Sequence, residues 1–376
     1  MMPRILLMAV LALLGLFQAG CRTASFYGQA IQGHCRIIFK QESIQHVLKE
    51  PSASESLKAG LRQVLELRRF AEAHLGLPAG RHYLNYAELR SQYVVWNVFA
   101  APEFSLEAKE WWYPVLGRLS YRGYFKEALA RQCADDLRAS GMDVFVGGVD
   151  AYSTLGWFKD PVLDTFLDRD ELSLADLIFH ELAHQKLFIK GDTDFNEAFA
   201  TAVAREGVRR WLRSRGDDRT AADYEILVAR QDAFLGLLMR TRQELEALYA
   251  EAADGERRAM NEHALGNTRA EIRRRKAGLL ASLRTDYEIL KADWSGGVHF
   301  DRWFEWPVNN ARLNAESTYH ELVPGFENLL ADAGGDLPEF FARVKAIGKL
   351  PDNERQQTLA GWIERSPERE WTRIQP

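Results

Sequence analysis

Five consecutive residues near the middle of the chain, His180-Glu181-Leu182-Ala183-His184, have the types and spacing of a catalytic metal site. Histidines at positions i and i+4 of a helix project from the same face, one turn apart. Both imidazoles can therefore reach one Zn²⁺ at a Zn–N distance of about 2.0–2.1 Å. Glu181 lies between them and is spaced to act as the general base for a water molecule that the metal activates. The motif predicts metal-assisted hydrolysis.

A catalytic zinc site needs a third protein ligand, and the next segment of the chain offers one. Gly191 and the run Asp192-Thr193-Asp194 predict a helix end, a turn and the N-cap of a second helix, which carries Glu197. A returning helix could bring the Glu197 carboxylate over the histidine face and complete a His₂Glu site. The alternative is a capping box, in which Glu197 only closes the helix N-terminus. Glu206 is the next acid to consider if Glu197 is not the ligand.

Several segments resemble a known class of enzymes. HELAH followed by Asn196-Glu197 is similar to the gluzincin metallopeptidases. The chain more closely resembles a bacterial family of zinc aminopeptidases, which are often lipoproteins. The segments that carry this resemblance are 151–157, 180–185, 191–193 and 195–197. The similarity extends from the N-terminus to about Leu330. This resemblance implies Zn²⁺ as the cofactor, a peptide as the substrate, and hydrolysis at the peptide N-terminus.

The sequence departs from the wider class at two points. Thr201 stands four residues after Glu197, where thermolysin-like enzymes carry an acid that orients a zinc histidine, so that acid must come from elsewhere. A Gly-x-Met-Glu-Asn amine-binding signature is also missing from the sequence. Two alternatives to an aminopeptidase therefore stay open: an endopeptidase or other amide hydrolase, and a non-catalytic envelope scaffold or chaperone with a structural zinc site. Glu181 discriminates between an enzyme and a scaffold, because a structural zinc site has no need of a carboxylate between its histidines.

Peptide hydrolysis also needs a hydrogen-bond donor for the oxyanion of the tetrahedral intermediate. By resemblance to gluzincins, a tyrosine or a histidine fills this role. Tyr319 is the first candidate, and His320 and Tyr152 follow. For each of the three, core packing or a surface hydrogen bond is the alternative.

The first 21 residues have the pattern of a targeting segment. Residues 5–17 are apolar, and this stretch of 13 residues is too short to span a bilayer comfortably. Ala19-Gly20-Cys21 resembles the end of a bacterial lipobox, which implies lipidation of Cys21, although Gln18 stands where leucine is usual. The alternative is an ordinary signal peptide cut nearby. Arg22 follows instead of the aspartate that retains lipoproteins in the inner membrane, which implies a lipid anchor at the periplasmic face of the outer membrane.

The composition is that of a globular protein. Of the 376 residues, 47% are hydrophobic and 27% are charged, and the formal net charge of −5 gives no support to a nucleic-acid partner. Cys35 and Cys133 could pair in an oxidising periplasm or remain buried thiols. The oligomeric state is left open.

The remaining pattern predicts an α+β, mostly helical fold. We expect a zincin-like metallopeptidase core with a small β-sheet beside the active-site helix, and a long helical hairpin. Helices are predicted over 26–48, from Ser54 or Ser56 to 75, over 125–140, over 221–290 with a turn at 254–255, up to 330, and within 336–362. Strands are predicted over 93–101, once or twice within 106–125, and over 144–149.

The strand that begins at Val144 is a candidate for the sheet edge that pairs with an extended substrate; a central strand is the alternative. The chain divides into a lipoprotein signal segment (1–21), a catalytic core (22–218), a helical hairpin (219–295) and a C-terminal helical part (296–376) that completes the active-site cleft.

Overall fold

The computed structural model describes residues 25–113, 117–151, 159–258, 262–296, 299–317 and 321–364, which form the expected mostly helical α+β protein. The helices are α1 (25–39), α2 (Ile44–Val47), α3 (Glu55–His74), α4 (Glu127–Ala139), α5 (Asp164–Leu167), α6 (Glu171–Lys186), α7 (Thr193–Arg215), α8 (Asp218–Arg258), α9 (Glu262–Lys291), α10 (Asn310–Ser317), α11 (Val323–Asp332), α12 (Leu337–Ile347) and α13 (Asp352–Glu364). The strands are β1 (Gln41–Ser43), β2 (Asn85–Ala87), β3 (Val95–Pro102), β4 (Trp111–Tyr113), β5 (Gly117–Leu119), β6 (Tyr121–Tyr124), β7 (Met142–Val149) and β8 (Val162–Leu163).

The strands form three small sheets. The central one is antiparallel with the order β6-β3-β7, and its register places Phe99 opposite both Tyr121 and Phe145. Within the described residues, β7 pairs only with β3, so it is an edge strand as the sequence predicted. The second sheet has the order β1-β2-β8, and its β2–β8 pair is parallel; β4 and β5 form a hairpin.

Three apolar clusters hold these elements together. The largest surrounds α3, α6, α7 and α11 to α13, and it includes Phe179, Phe199, Trp211 and Phe326. A second lies between α8, α9 and the 3₁₀ turn Asp301–Glu305, and a third lies between α1, α4 and the central sheet. The helix that carries the HExxH motif is therefore inside the largest core. The division of the chain into domains stays a prediction.

Helices α6 and α7 pack very closely on each other. A Cβ atom added to Gly207 on α7 would lie 2.7 Å from the ring of Phe179 on α6, which is closer than a real Cβ contact. Only a glycine allows the two helices this approach. The helices α7 and α3 are the main packing partners of α6, so the metal-site helix is surrounded chiefly by helices.

Three predicted boundaries are wrong. The single helix expected over 26–48 is interrupted, because residues 41–43 pair with Asn85–Ala87 as a strand. The hairpin does not turn at 254–255, since α8 continues to Arg258. Helix α6 ends at Lys186, several residues before Gly191, which had predicted the end of that helix.

Cys35 and Cys133 are free cysteines, so the structure has no disulfide between them. Among the described residues, no helix combines the length and the apolar character needed to cross a lipid bilayer.

Candidate metal centre

Helix α6 presents both histidines of the motif on one face. Its N-cap is Asp170, whose carboxylate accepts a 3.0 Å hydrogen bond from the Ser173 N–H. The apolar side chains of Leu174, Ile178 and Leu182 are fully buried and fix the rotation of the helix about its axis. His180 and His184 therefore point together towards the start of α7.

Helix α7 begins in a way that excludes the capping-box alternative for Glu197. Its N-cap is Asp192, which accepts a 3.0 Å hydrogen bond from the Phe195 N–H, and Asp194 is already helical. Glu197 therefore lies in the second turn, beyond the position that closes a capping box. The other acid considered, Glu206, accepts hydrogen bonds from Arg210 at 2.7 Å and from Arg213 at 3.3 Å on its own helix.

The turn that joins the two helices is held rigidly. The buried Asn196 side chain accepts from the Ile189 N–H and donates to the Ile189 carbonyl oxygen, both at 2.7 Å. Arg355 of α13 donates a 2.6 Å charged hydrogen bond to Asp192. Asn196 is thus a structural neighbour of Glu197, and the C-terminal part of the chain braces the same turn.

The three predicted ligand atoms converge on one point. The Nε2 atoms of His180 and His184 lie 3.2 Å apart, and Glu197 Oε2 lies 3.1 Å from the first and 3.7 Å from the second. Ligands at about 2.0–2.1 Å from a tetrahedral zinc ion are separated from each other by roughly 3.3 Å. The triangle therefore fits a small divalent ion, and the two nitrogens and one carboxylate oxygen are a donor set that zinc accepts. The structure identifies this group as a candidate metal-binding site.

The charges of the site are strongly coupled in the metal-free chain. Burial lowers the pKa of His180, but the hydrogen bond and negative charge of Glu197, with smaller effects from Glu181 and Asp176, outweigh burial and raise it to about 9. Burial raises the pKa of the Glu197 carboxyl, but the two imidazoles outweigh burial and hold this pKa far below its usual range. Glu197 is thus an anion suited to a cation at this point.

Glu181 experiences a different environment. Burial raises the pKa of its carboxyl, against the charges of His184 and His180, and the charges of Glu197 and Asp160 add to the rise. A carboxylate whose pKa is raised towards the working pH is a better proton acceptor and donor. The burial and the surrounding charges of Glu181 therefore suit proton transfer.

Tyr83 and Asp160 interact electrostatically with Glu181, and the sequence alone did not indicate either of them. Burial, then the charges of Glu181 and Asp160, raise the pKa of the Tyr83 phenol well above its ordinary value. Tyr83 has a positive φ of 58° and donates its backbone N–H to the Asp160 carbonyl at 2.8 Å. Asp160 also contacts His82 Nδ1 at 3.1 Å. No motif marks these positions, and only the chain path brings them beside the HExxH helix.

One further acid, Asp176, acts electrostatically on a predicted ligand. Asp176 lies one turn before His180 on α6, and its negative charge raises the pKa of that histidine. This position could have been found from the helical spacing of residues 176, 180 and 184. His184 Nδ1 is buried and has no hydrogen-bond acceptor among the described residues.

Four predicted functional residues, Tyr152, Tyr319, His320 and Cys21, lie outside the described residues. The helix α10, which precedes two of them, is firmly positioned. The buried Asn310 donates its side-chain amide to the carbonyls of Pro102, Glu103 and Ser105 at 3.0–3.1 Å.

The comparison with protein families agrees with the site. The chain belongs to the family described as "Putative aminopeptidase", whose model matches residues 25–359. This assigns the chain to a peptidase family, as the resemblance of its motifs had implied. No curated protein and no solved structure gave a significant match.

Proposed function

We propose that the protein is a zinc-dependent aminopeptidase in which His180, His184 and Glu197 hold the metal and Glu181 is the general base. The observation that carries this proposal is the convergence of the three ligand atoms, with Glu181 between the two histidines in the sequence, in a chain of the aminopeptidase family. A zincin-like core is part of the same proposal, supported by the close packing of helices α6 and α7 and by the edge strand β7.

When bound, zinc would polarise the scissile carbonyl and activate the attacking water. Glu181 accepts the proton of the attacking water and later donates it to the leaving amine. Its raised pKa serves both steps, because the same carboxyl must gain and lose a proton in one cycle. Tyr319 is our first candidate for the oxyanion donor.

The outer edge of β7 is proposed to pair with the extended backbone of the substrate. Asn309 donates its side-chain amide to the Val144 carbonyl at 3.2 Å and so occupies the start of this strand.

Substituting Glu197 by glutamine tests the metal site. The change removes the negative charge and little volume. Mutating a residue that only orients a metal ligand typically lowers metal affinity roughly 10–100-fold, and we expect a larger loss of zinc affinity here. Glu206→Gln is a matched control on the same helix, and its zinc affinity should stay near wild type. The measurement is a competition titration with a zinc chelator. Unchanged affinity in Glu197→Gln would remove this residue from the ligand set.

The reaction itself is tested with a peptide library and mass spectrometry. We expect zinc-dependent loss of N-terminal residues from free peptides, and no such loss from N-acetylated ones. Cleavage of both sets at internal bonds would indicate an endopeptidase. Tight zinc binding without any cleavage would indicate the scaffold alternative.

We also propose that Cys21 is lipidated and anchors the protein to the periplasmic face of the outer membrane. Radiolabelled palmitate should label the wild-type protein and not Cys21→Ser, which should be released into the soluble periplasmic fraction. The absence of label on the wild-type protein would refute this location.

A further inference from the structure

Helix α1 is fixed on the protein body in one orientation. Its inner side carries Phe26, whose ring packs edge-on against Tyr124 at 5.4 Å between centroids, and the buried Ile37. Gly33 lies so close to the ring of Phe125 that an added Cβ would be 2.0 Å from it. Rotation of α1 about its axis would break these contacts, so its opposite side is held outward.

That opposite side is apolar and exposed. We call Tyr27, Ile31, Ile38 and Phe39 the outer face of α1; their exposed fractions are 39%, 64%, 38% and 85%. At about 100° per residue, positions 27, 31 and 38 fall within roughly 40° of one another around the helix. Phe39, the last residue of the helix, lies about 80° further round and widens the face at that end. Isolated exposed apolar residues are ordinary on protein surfaces, but a row of them on one short helix marks an interaction surface.

The outer face also lacks the charges that usually keep a surface helix in water. Arg36 is the one charged residue in the sequence from 25 to 39, since His34 is neutral at pH 7. Its guanidinium donates to the Leu89 carbonyl, and the neighbouring Lys40 donates to the Glu88 carbonyl at 2.7 Å. Both cations are directed to the protein body, so burying the outer face would not remove a charged group from water.

A second copy of the chain is a poor partner for this surface. Four partly exposed side chains present on the order of 400 Å², whereas a stable protein interface buries roughly 800 Å² on each partner. A lipid surface has no such lower limit, because a helix with an apolar face inserts among the headgroups in proportion to its area.

We propose that the outer face of α1 lies in the headgroup region of a phospholipid bilayer and fixes the orientation of the protein on the membrane. The described chain begins at residue 25, four positions after Cys21, which is a reach of at most about 14 Å. The proposed lipid anchor would thus hold α1 at the membrane surface, and for that placement the inference rests on the proposed location. Tyrosine, isoleucine and phenylalanine are side chains that such an interface accepts.

Fluorescence quenching tests this orientation in the full-length protein. Ile31→Cys and Ile289→Cys are labelled with a nitrobenzoxadiazole dye in a Cys35→Ser, Cys133→Ser background and bound to phosphatidylethanolamine–phosphatidylglycerol vesicles. Ile289 on α9 is the matched control, because its exposed fraction of 67% equals that of Ile31 within a few per cent. Doxyl-labelled lipids should quench the dye at 31 several-fold more than the dye at 289.

Equal quenching at the two positions on vesicle-bound protein would overturn the proposal, and so would a failure of the protein to bind vesicles. A dye at 31 that is already shielded in solution, at protein concentrations where sedimentation shows a dimer, would assign the face to a second copy instead. Quenching at 31 without palmitate on the protein would refute the lipid anchor and keep the membrane face. Cleavage of soluble peptides should be unchanged in both labelled proteins, so these outcomes are separate from those that test the peptidase.

As a second measurement, Ile31→Gln with Phe39→Gln should lower the vesicle affinity of the Cys21→Ser protein by about tenfold or more. Ile226→Gln with Ile289→Gln is the matched pair on α8 and α9, and it should leave that affinity unchanged. Equal affinities for the two pairs would count against the outer face of α1.

Discussion

Asn310 joins three parts of the protein, and its replacement by alanine should be strongly destabilising. The side chain is fully buried, its oxygen accepts a 2.8 Å hydrogen bond from the Tyr249 hydroxyl, and its amide donates to three backbone carbonyls at the end of β3 and just beyond it. Its own N–H donates to Asp143 at 3.0 Å, and Asp143 also binds Lys276 at 2.6 Å. These contacts connect α10 with the central sheet and with the hairpin α8–α9.

The magnitude follows from the groups left without partners. Losing the two amide N–H donors costs about 1 kcal/mol each, and a buried Tyr249 hydroxyl without its acceptor costs about 1–3 kcal/mol more. We therefore expect Asn310→Ala to lower the free energy of unfolding by about 3–5 kcal/mol. Asn310→Asp should cost at least as much at pH 8, because it keeps an acceptor for Tyr249 but faces the three carbonyls with an anion.

Urea denaturation followed by circular dichroism measures this loss. Asn328→Ala is the control, because the Asn328 amide makes one 2.9 Å hydrogen bond to the Trp362 carbonyl, and we expect a loss of about 0.5–1.5 kcal/mol. If Asn310→Ala costs no more than Asn328→Ala, the assignment of Asn310 as a junction of the fold is refuted.

The other predictions concern the site and its surroundings. Glu181→Gln should retain zinc and lose roughly 10²–10⁴-fold in kcat; a rate near wild type with zinc bound would exclude this base. Burial, with the charges of Asp192 and Glu321, raises the pKa of Asp194 to about 7. The folded chain therefore keeps this proton to a higher pH than the unfolded chain does. The resulting contribution to stability is complete below about pH 4 and is lost as the pH rises through 7. The free energy of unfolding of Asp194→Asn, relative to wild type, should therefore rise by about 1–3 kcal/mol between pH 5 and pH 8, measured by urea denaturation in excess zinc. The same difference between the two proteins at both pH values would contradict this. Tyr319→Phe should lower kcat roughly 10²–10³-fold with zinc retained, and an unchanged kcat would move the oxyanion role to another residue.

The local elements could be predicted wherever the sequence carries a local signal. Ser54 at the N-cap of α3, Asp170 at that of α6 and Asp192 at that of α7 are side chains that satisfy backbone N–H groups within their own turn, so their effect does not depend on distant residues. The break in the helix expected over 26–48 could not be read in this way. It exists because residues 41–43 pair with a strand more than forty positions away, and such pairing overrides helical periodicity.

By itself, the sequence determined that His180 and His184 share one face of a helix with Glu181 between them, because their spacing is fixed by the geometry of a single turn. It left Glu197 between two roles, ligand and cap. Only the tertiary structure excludes the cap and brings the Glu197 carboxylate to the two imidazoles, since both outcomes depend on where α7 begins and how closely it packs on α6, which Asp192, Asn196 and Gly207 set together. Distances between helices arise from packing across the whole core, and a linear pattern of residues does not contain them.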